Sequence, residues 1–198
     1  CFAMMGLHPS HVKPETWEAE LTLAEDWLGR RAWAGVGETG IDLYWDKTTL
    51  DIQQKSFARH CEWAKDLGRP VIIHSREANR EAIEVVRAAQ DGRLRGIFHC
   101  FSGTLDEAKE MIALGFMLGV GGSLTYPKST LPEVLREVPL EHIVLETDSP
   151  YLPPVPHRGK RNESAYIRLV AEMLSEVKVL PLAEIARKTT ENARRMFG

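Results

Sequence analysis

Apolar positions along the chain switch between two periods. Short apolar runs, read as strands, are each followed by a longer segment whose apolar residues fall three and four apart, the spacing of one helix face. Phe2 to Leu7 reads as a strand, and Glu15 to Leu28 as a helix on Trp17, Leu21, Ala24 and Leu28. Ala34-Gly35-Val36-Gly37 forms the next strand and leads into Glu38. A helix over Leu50 to Leu67 sets Phe57, Cys61 and Ala64 on one face, with Gly68 as its terminator. Pro70 to Ile73 is a strand, and Asn79 is placed to cap the helix after it, which ends near Gly92. Gly96 to Phe98 is followed by Thr104-Leu105-Asp106-Glu107, a capping-box pattern opening a helix to about Leu114. Phe116 to Val120 is a strand, Pro132 to Val138 a short helix, and Ile143 to Leu145 a strand. Two helices, Ser164 to Val177 and Leu182 to Met196, follow, with Pro181 at a permitted first-turn position.

Six strand–helix units of this kind mean an α/β protein, either doubly wound or a barrel. A doubly wound nucleotide-binding sheet carries a glycine fingerprint after its first strand, and none is present. A barrel gathers its chemistry at the C-terminal ends of several strands. That is where His8, Glu38, His74, His99 and Asp148 fall, each directly after an apolar run. No linker or low-complexity segment divides residues 1–198, so one barrel domain is expected.

Composition narrows the partners. With 43% hydrophobic residues and a net charge of −3, the chain supports one core and no global basic field. Any nucleic-acid contact has to be local, and Arg158, Lys160 and Arg161 form such a basic loop. Cys1, Cys61 and Cys100 are odd in number and make no CxxC, which points to a reducing compartment. No signal-like segment or apolar run of membrane-spanning length occurs, so the expected location is cytoplasmic, with no membrane and no obligate protein partner.

Imidazole and carboxylate side chains are the donors for divalent metals. Each histidine alone has an ordinary reading as a partly buried core residue, and Asp148 alone reads as a turn aspartate. The positional pattern, one donor at each of four strand ends, favours a metal site built from Glu38, His74, His99 and Asp148.

These residues carry a resemblance. Gly37-Glu38-Thr39-Gly40-Ile41-Asp42, His74-Ser75-Arg76, His99-Cys100-Phe101-Ser102-Gly103, Glu146-Thr147-Asp148-Ser149-Pro150-Tyr151-Leu152 and Arg161-Asn162-Glu163 resemble, in order and spacing, the TatD family of metal-dependent deoxyribonucleases. Gly6-Leu7-His8-Pro9 resembles it too. The resemblance implies a TIM-type (β/α)8 barrel with about six of its eight strands in this chain. It implies two divalent ions, with Mg, Mn and Zn the candidates. Glu38 would be shared between them, His74 and His99 would serve one ion, and Asp148 the other. The family's opening His-x-His is missing, so the chain is read as lacking the first two strand–helix units, and in isolation as binding one metal with impaired activity.

The implied reaction is phosphodiester hydrolysis of DNA at single-stranded ends. Asp148 and Glu38 are the expected catalytic carboxylates. His8, Arg76, Tyr151 and Arg161 are the expected substrate contacts: Arg76 through its guanidinium fork, Arg161 through the positive charge of the basic loop, Tyr151 by stacking. The ordinary reading of Arg76 is a surface pair with Glu77 or Glu81. His11 receives no role, and His60, His142 and His157 read as surface or helix residues. Cys100 reads as a small core filler. The alternatives are an amidohydrolase or aminoacyl-tRNA deacylase on the same site, or a catalytically inactive fragment.

Overall fold

The computed structural model describes residues 2–198. Cys1, one of the three cysteines behind the compartment reading, lies outside them. The described residues form strands β1 (Met4–Met5), β2 (Gly35–Asp42), β3 (Val71–Arg76), β4 (Gly96–Phe98), β5 (Phe116–Val120) and β6 (Ile143–Leu145). Helices α1 (Trp17–Leu28), α2 (Leu50–Leu67), α3 (Asn79–Ala89), α4 (Leu105–Ala113) and α5 (Leu131–Glu137) alternate with the strands. Helices α6 (Ile167–Lys178) and α7 (Leu182–Phe197) follow. The chain divides into two compact units. The first holds residues 2–99 with 113–116 and 197, and the second holds Cys100–Ile112, Met117–Met196 and Gly198.

In the first unit β1, β2, β3 and β4 lie side by side in chain order, every pair parallel. Parallel strands covered on both faces lose the in–out alternation of a half-exposed sheet. β2 shows this, with only Glu38 of its eight residues less than fully buried. Helix α2 turns one face to the core: Gln53, Ser56, Phe57, His60, Cys61 and Ala64 are buried at helical spacing. It ends where the sequence says, because Gly68 takes the left-handed conformation (φ 61°) and closes on the carbonyls of Ala64 and Lys65. Phe57, Ile41, Ile73 and Ile83 are fully enclosed. Each such side chain contributes about 1.5–3 kcal/mol by burial.

In the second unit β5 and β6 pair in parallel, Leu118 to Val120 against Ile143 to Leu145. Helix α6 buries Val170, Ala171, Leu174 and Val177. Asn192 of α7 donates to the carbonyls of Leu140 and Ile143, 2.8 Å each, fixing the approach to β6. The capping box forms at α4: the Thr104 amide gives to Glu107 Oε2 at 2.8 Å, and the Glu107 amide gives to Thr104 Oγ1 at 3.3 Å.

Several boundaries differ from the pattern-based reading. β1 spans Met4–Met5 alone. β2 and β3 run past their apolar cores, so Glu38, Asp42, His74 and Arg76 lie within strands. Pairing continues there because backbone hydrogen bonds, not side-chain polarity, define the ladder. Asn79 is the first helical residue, not the cap. Ala78 holds the cap position, and Asn79 Oδ1 accepts from the Ser75 hydroxyl at 2.7 Å. Pro181 sits at the N-cap of α7, one position before the first turn.

Candidate metal centre

Glu38 is presented by a break in the β2–β3 ladder. Val36 pairs with Val71 and Thr39 with Ile73, so β2 spends three steps where β3 spends two. The extra residue makes a bulge, the local device that re-aims a side chain. Gly37 has φ 142°, and a Cβ there would sit 2.7 Å from the Ile72 carbonyl oxygen. Only glycine fits that corner.

Around Glu38 the first unit gathers three imidazoles. His8 Nε2 lies 3.7 Å from Glu38 Oε2, and His99 Nε2 lies 3.8 Å from the same oxygen. The rings of His8 and His74 meet edge-on with centroids 4.4 Å apart. One ligand atom each from His8, Glu38 and His74 falls within 4.8 Å of the others. His8 Nδ1 is tied to Ser10, 2.7 Å from the hydroxyl and 3.2 Å from the amide. Nε2 is therefore the nitrogen left toward Glu38. Burial pushes His8 down to about 4, aided by neighbouring His74. Burial also lowers His74, against the pull of Asp42. Both rings are thus neutral at neutral pH, the protonation state a metal ligand needs. Two neutral imidazoles and a carboxylate suit a borderline divalent ion.

The sequence reading set His8 on the substrate side; the geometry also gives it a ligand's position. It overlooked Asp42. This carboxylate is 3% exposed, and its Oδ2 accepts the Nε2–H of His74 at 2.9 Å. A carboxylate only accepts, so the His74 proton resides on Nε2 and the lone pair on Nδ1. Oδ1 of Asp42 takes the amides of Tyr44 and Trp45 at 3.0 and 3.4 Å. Gln53 clamps the Asp42 backbone from α2, accepting its N–H at 2.8 Å and donating to its carbonyl at 3.2 Å. The sequence signal was an acidic residue at alternate-residue spacing from Gly40, opposite the His74–Arg76 strand end.

Arg76 follows His74 by two residues, which sets both on one face of β3. Its guanidinium lies over the Tyr44 ring at 3.7 Å, while Glu77 faces Lys47 at 3.9 Å. The surface pair with Glu77 is therefore replaced by a stacked arginine. His60, read as a surface or helix residue, is fully buried. Its Nε2 accepts the Leu7 amide at 2.9 Å and its Nδ1 gives to the Ser56 carbonyl at 2.7 Å. It thereby holds the backbone one residue before His8.

The second unit carries the remaining candidates. Asp148 follows β6 with φ 57°, and its carbonyl accepts the Tyr151 amide at 2.8 Å. Asn162, buried to 3% exposure, donates to the carbonyls of Thr147 and Tyr151 at 2.6 Å each. It straps the turn that contains Asp148. The Glu146 carboxylate accepts the Cys100 amide at 2.7 Å. Cys100 has φ 48° and is half-buried rather than a core filler. Tyr151 and Arg161 are exposed, and Arg158 stacks on Tyr126 at 4.4 Å.

A family model described as TatD related DNase matches residues 1–198. The chain belongs to the TatD family. This TatD chain is 37% identical over 197 residues to the Bacillus subtilis uncharacterized metal-dependent hydrolase YabD, covering 99% of itself and 77% of that protein. It is 39% identical over 163 residues to the uncharacterized metal-dependent hydrolase YcfH of Escherichia coli K12, covering 82% of itself and 62% of YcfH. Among solved structures it resembles YjjV, a TatD homolog from Escherichia coli, with TM-score 0.88 and 31% identity over 99% of the chain and 76% of YjjV. A TatD family hydrolase from Entamoeba histolytica shares the fold, with TM-score 0.78 at 24% identity, over 99% of this chain and 74% of that one. The expected fold class holds: α/β, of the TatD (β/α) barrel type, with six strands among the described residues. No helix among the described residues is long and apolar enough to cross a membrane.

Proposed function

We propose that this TatD-family chain hydrolyses phosphodiester bonds of DNA at single-stranded ends, using two divalent cations. The observation that carries the reading is the convergence of His8, Glu38 and His74 ligand atoms within 4.8 Å, beside an arginine held by its aromatic neighbour. In this reading His8, Glu38, His74 and His99 would hold one ion, and Asp148 would serve the other. Bound there, a divalent ion polarises a phosphoryl oxygen and lowers the pKa of water. Asp148 accepts the proton of the attacking water at a carboxylate oxygen. Arg76 offers its guanidinium N–H groups to the phosphate, since a fork of donors matches phosphate oxygens. Tyr151 and Arg161 are further contacts to the strand in this reading.

Zinc or manganese fits the imidazole-rich donor set better than magnesium, which prefers oxygen. The odd number of cysteines, with no CxxC pair among them, supports action in the reducing cytoplasm.

The deciding experiment combines metal titration with hydrolysis of labelled single-stranded DNA. Metal should bind with His8, Glu38 and His74 intact, and cleavage should require the metal. Glu38→Gln should abolish both. Cleavage that survives removal of metal, or Glu38→Gln protein that cuts at the parental rate, overturns the reading.

A further inference from the structure

The turn between β2 and α2 carries two large aromatic side chains that the fold does not bury. Trp45 is 71% exposed and Tyr44 49% exposed. Isolated exposed apolar residues are ordinary. This pair is arranged: the rings meet edge to face with centroids 4.9 Å apart, and the Arg76 guanidinium carbon lies over the Tyr44 ring, 3.7 Å from its centroid, and 5.6 Å from the Trp45 centroid. The turn is held at both ends. Asp42 Oδ1 takes the amides of Tyr44 and Trp45, and Asp46 Oδ1 accepts the Thr48 amide and hydroxyl at 2.8 and 2.6 Å. The carboxylate that anchors the aromatics is the one that orients His74. Their position is thereby indexed to the metal ligand through one side chain.

We infer that Trp45, supported by Tyr44 and Arg76, forms a ledge on which one nucleobase of a single-stranded DNA stacks beside the metal centre. This rests on the nuclease reading and names a subsite for it. Every base has a π-face, so an open indole takes any of them. Arg76 supplies the complementary charge: stacked on Tyr44, it keeps its N–H edge for the adjoining phosphate. Tyr44 and Trp45 give a wide surface at low entropic cost, having few rotatable bonds.

The test is anisotropy of a labelled oligothymidylate and of its abasic counterpart with the same number of phosphates, in chelator so that neither is cut. The parent should prefer the base-bearing strand by about five- to 150-fold per stacked base. Trp45→Ala should lose that preference and Trp45→Phe keep most of it, with metal affinity unchanged in both. Arg76→Ala should weaken both strands alike. A parent without the preference, or Trp45→Ala protein that retains it, overturns the ledge. If the parent still cleaves DNA in those cases, the nuclease reading stands alone. If it neither binds nor cleaves, both fall. Trp45→Ala that leaves strand binding intact but abolishes self-association in sedimentation assigns the surface to a second copy and likewise overturns the proposal.

Discussion

Asp42 Oδ2 stands 2.9 Å from His74 Nε2, and that contact decides which nitrogen of His74 can face a cation. Carboxylate partners of this kind fix the ring and raise its basicity; losing one typically costs about 10–100-fold in metal affinity. Asp42→Asn keeps the shape and leaves Oδ1 for the Tyr44 and Trp45 amides. It should therefore fold and bind zinc about 10–100-fold more weakly by calorimetric titration. Undiminished affinity would show that the carboxylate does not set the tautomer.

This contact also marks where the sequence stops being legible. The bounds of α2 follow from the Phe57, Cys61 and Ala64 face and from Gly68, both local features. The capping box is local too. Glu38 and His74 are conspicuous as donors after apolar runs. Their aim is not, because it depends on a bulge that appears only in the β2–β3 register. Asp42 looks like any loop acid until β3 places His74 beside it. His60, read as a surface or helix residue, stands at i+3 from Phe57 on the buried face of α2. Its two hydrogen-bond partners, Leu7 and Ser56, are what make the burial tolerable.

Burial drives His60 down to about 4, with only the Ser56 carbonyl resisting. The unfolded residue takes up its proton near pH 6.5, the folded one near 4. Between those values the unfolded state binds more protons. Stability is whole above about 6.5 and falls as pH drops toward 4, by about 3 kcal/mol for this group. His60→Gln offers an oxygen to the Leu7 amide and an N–H to the Ser56 carbonyl. Urea midpoints measured across that range should fall less steeply in His60→Gln than in the parent. Parallel curves would mean that the buried imidazole does not drive the acid loss.

Gly40 packs directly against the β3 backbone. Its φ is 132°, and a Cβ would lie 2.0 Å from the His74 carbonyl oxygen. Gly40→Ala has to push the two strands apart at His74, a candidate metal ligand. The expected loss is about 4 kcal/mol or more, the range of severe strain, with metal binding lost alongside. Gly92 also has positive φ, 92°, but nothing lies within 4 Å of its Cβ position. Gly92→Ala should cost only about 1 kcal/mol. Equal melting points for the two variants would contradict the crowding at Gly40.

Asn162 makes the sharpest comparison in the second unit. Its Nδ2 donates to the Thr147 and Tyr151 carbonyls, 2.6 Å each, and its Oδ1 accepts the Glu163 amide at 2.9 Å. Asn162→Ala leaves two carbonyls without their donor, at a cost of about 1–3 kcal/mol. Asn162→Asp is nearly the same shape but sets a carboxylate against two carbonyl oxygens, a buried charge with repulsive neighbours. It should be the less stable of the two at neutral pH and recover partly in acid, where the protonated carboxyl again donates. Both variants should loosen the turn bearing Asp148, seen as faster amide exchange over residues 147–151. Hydrolysis should fall in both while zinc affinity at His8, Glu38 and His74 stays near the parental value. An Asn162→Asp protein as stable as Asn162→Ala, with no acid recovery, would remove the strap from the account of how Asp148 is held.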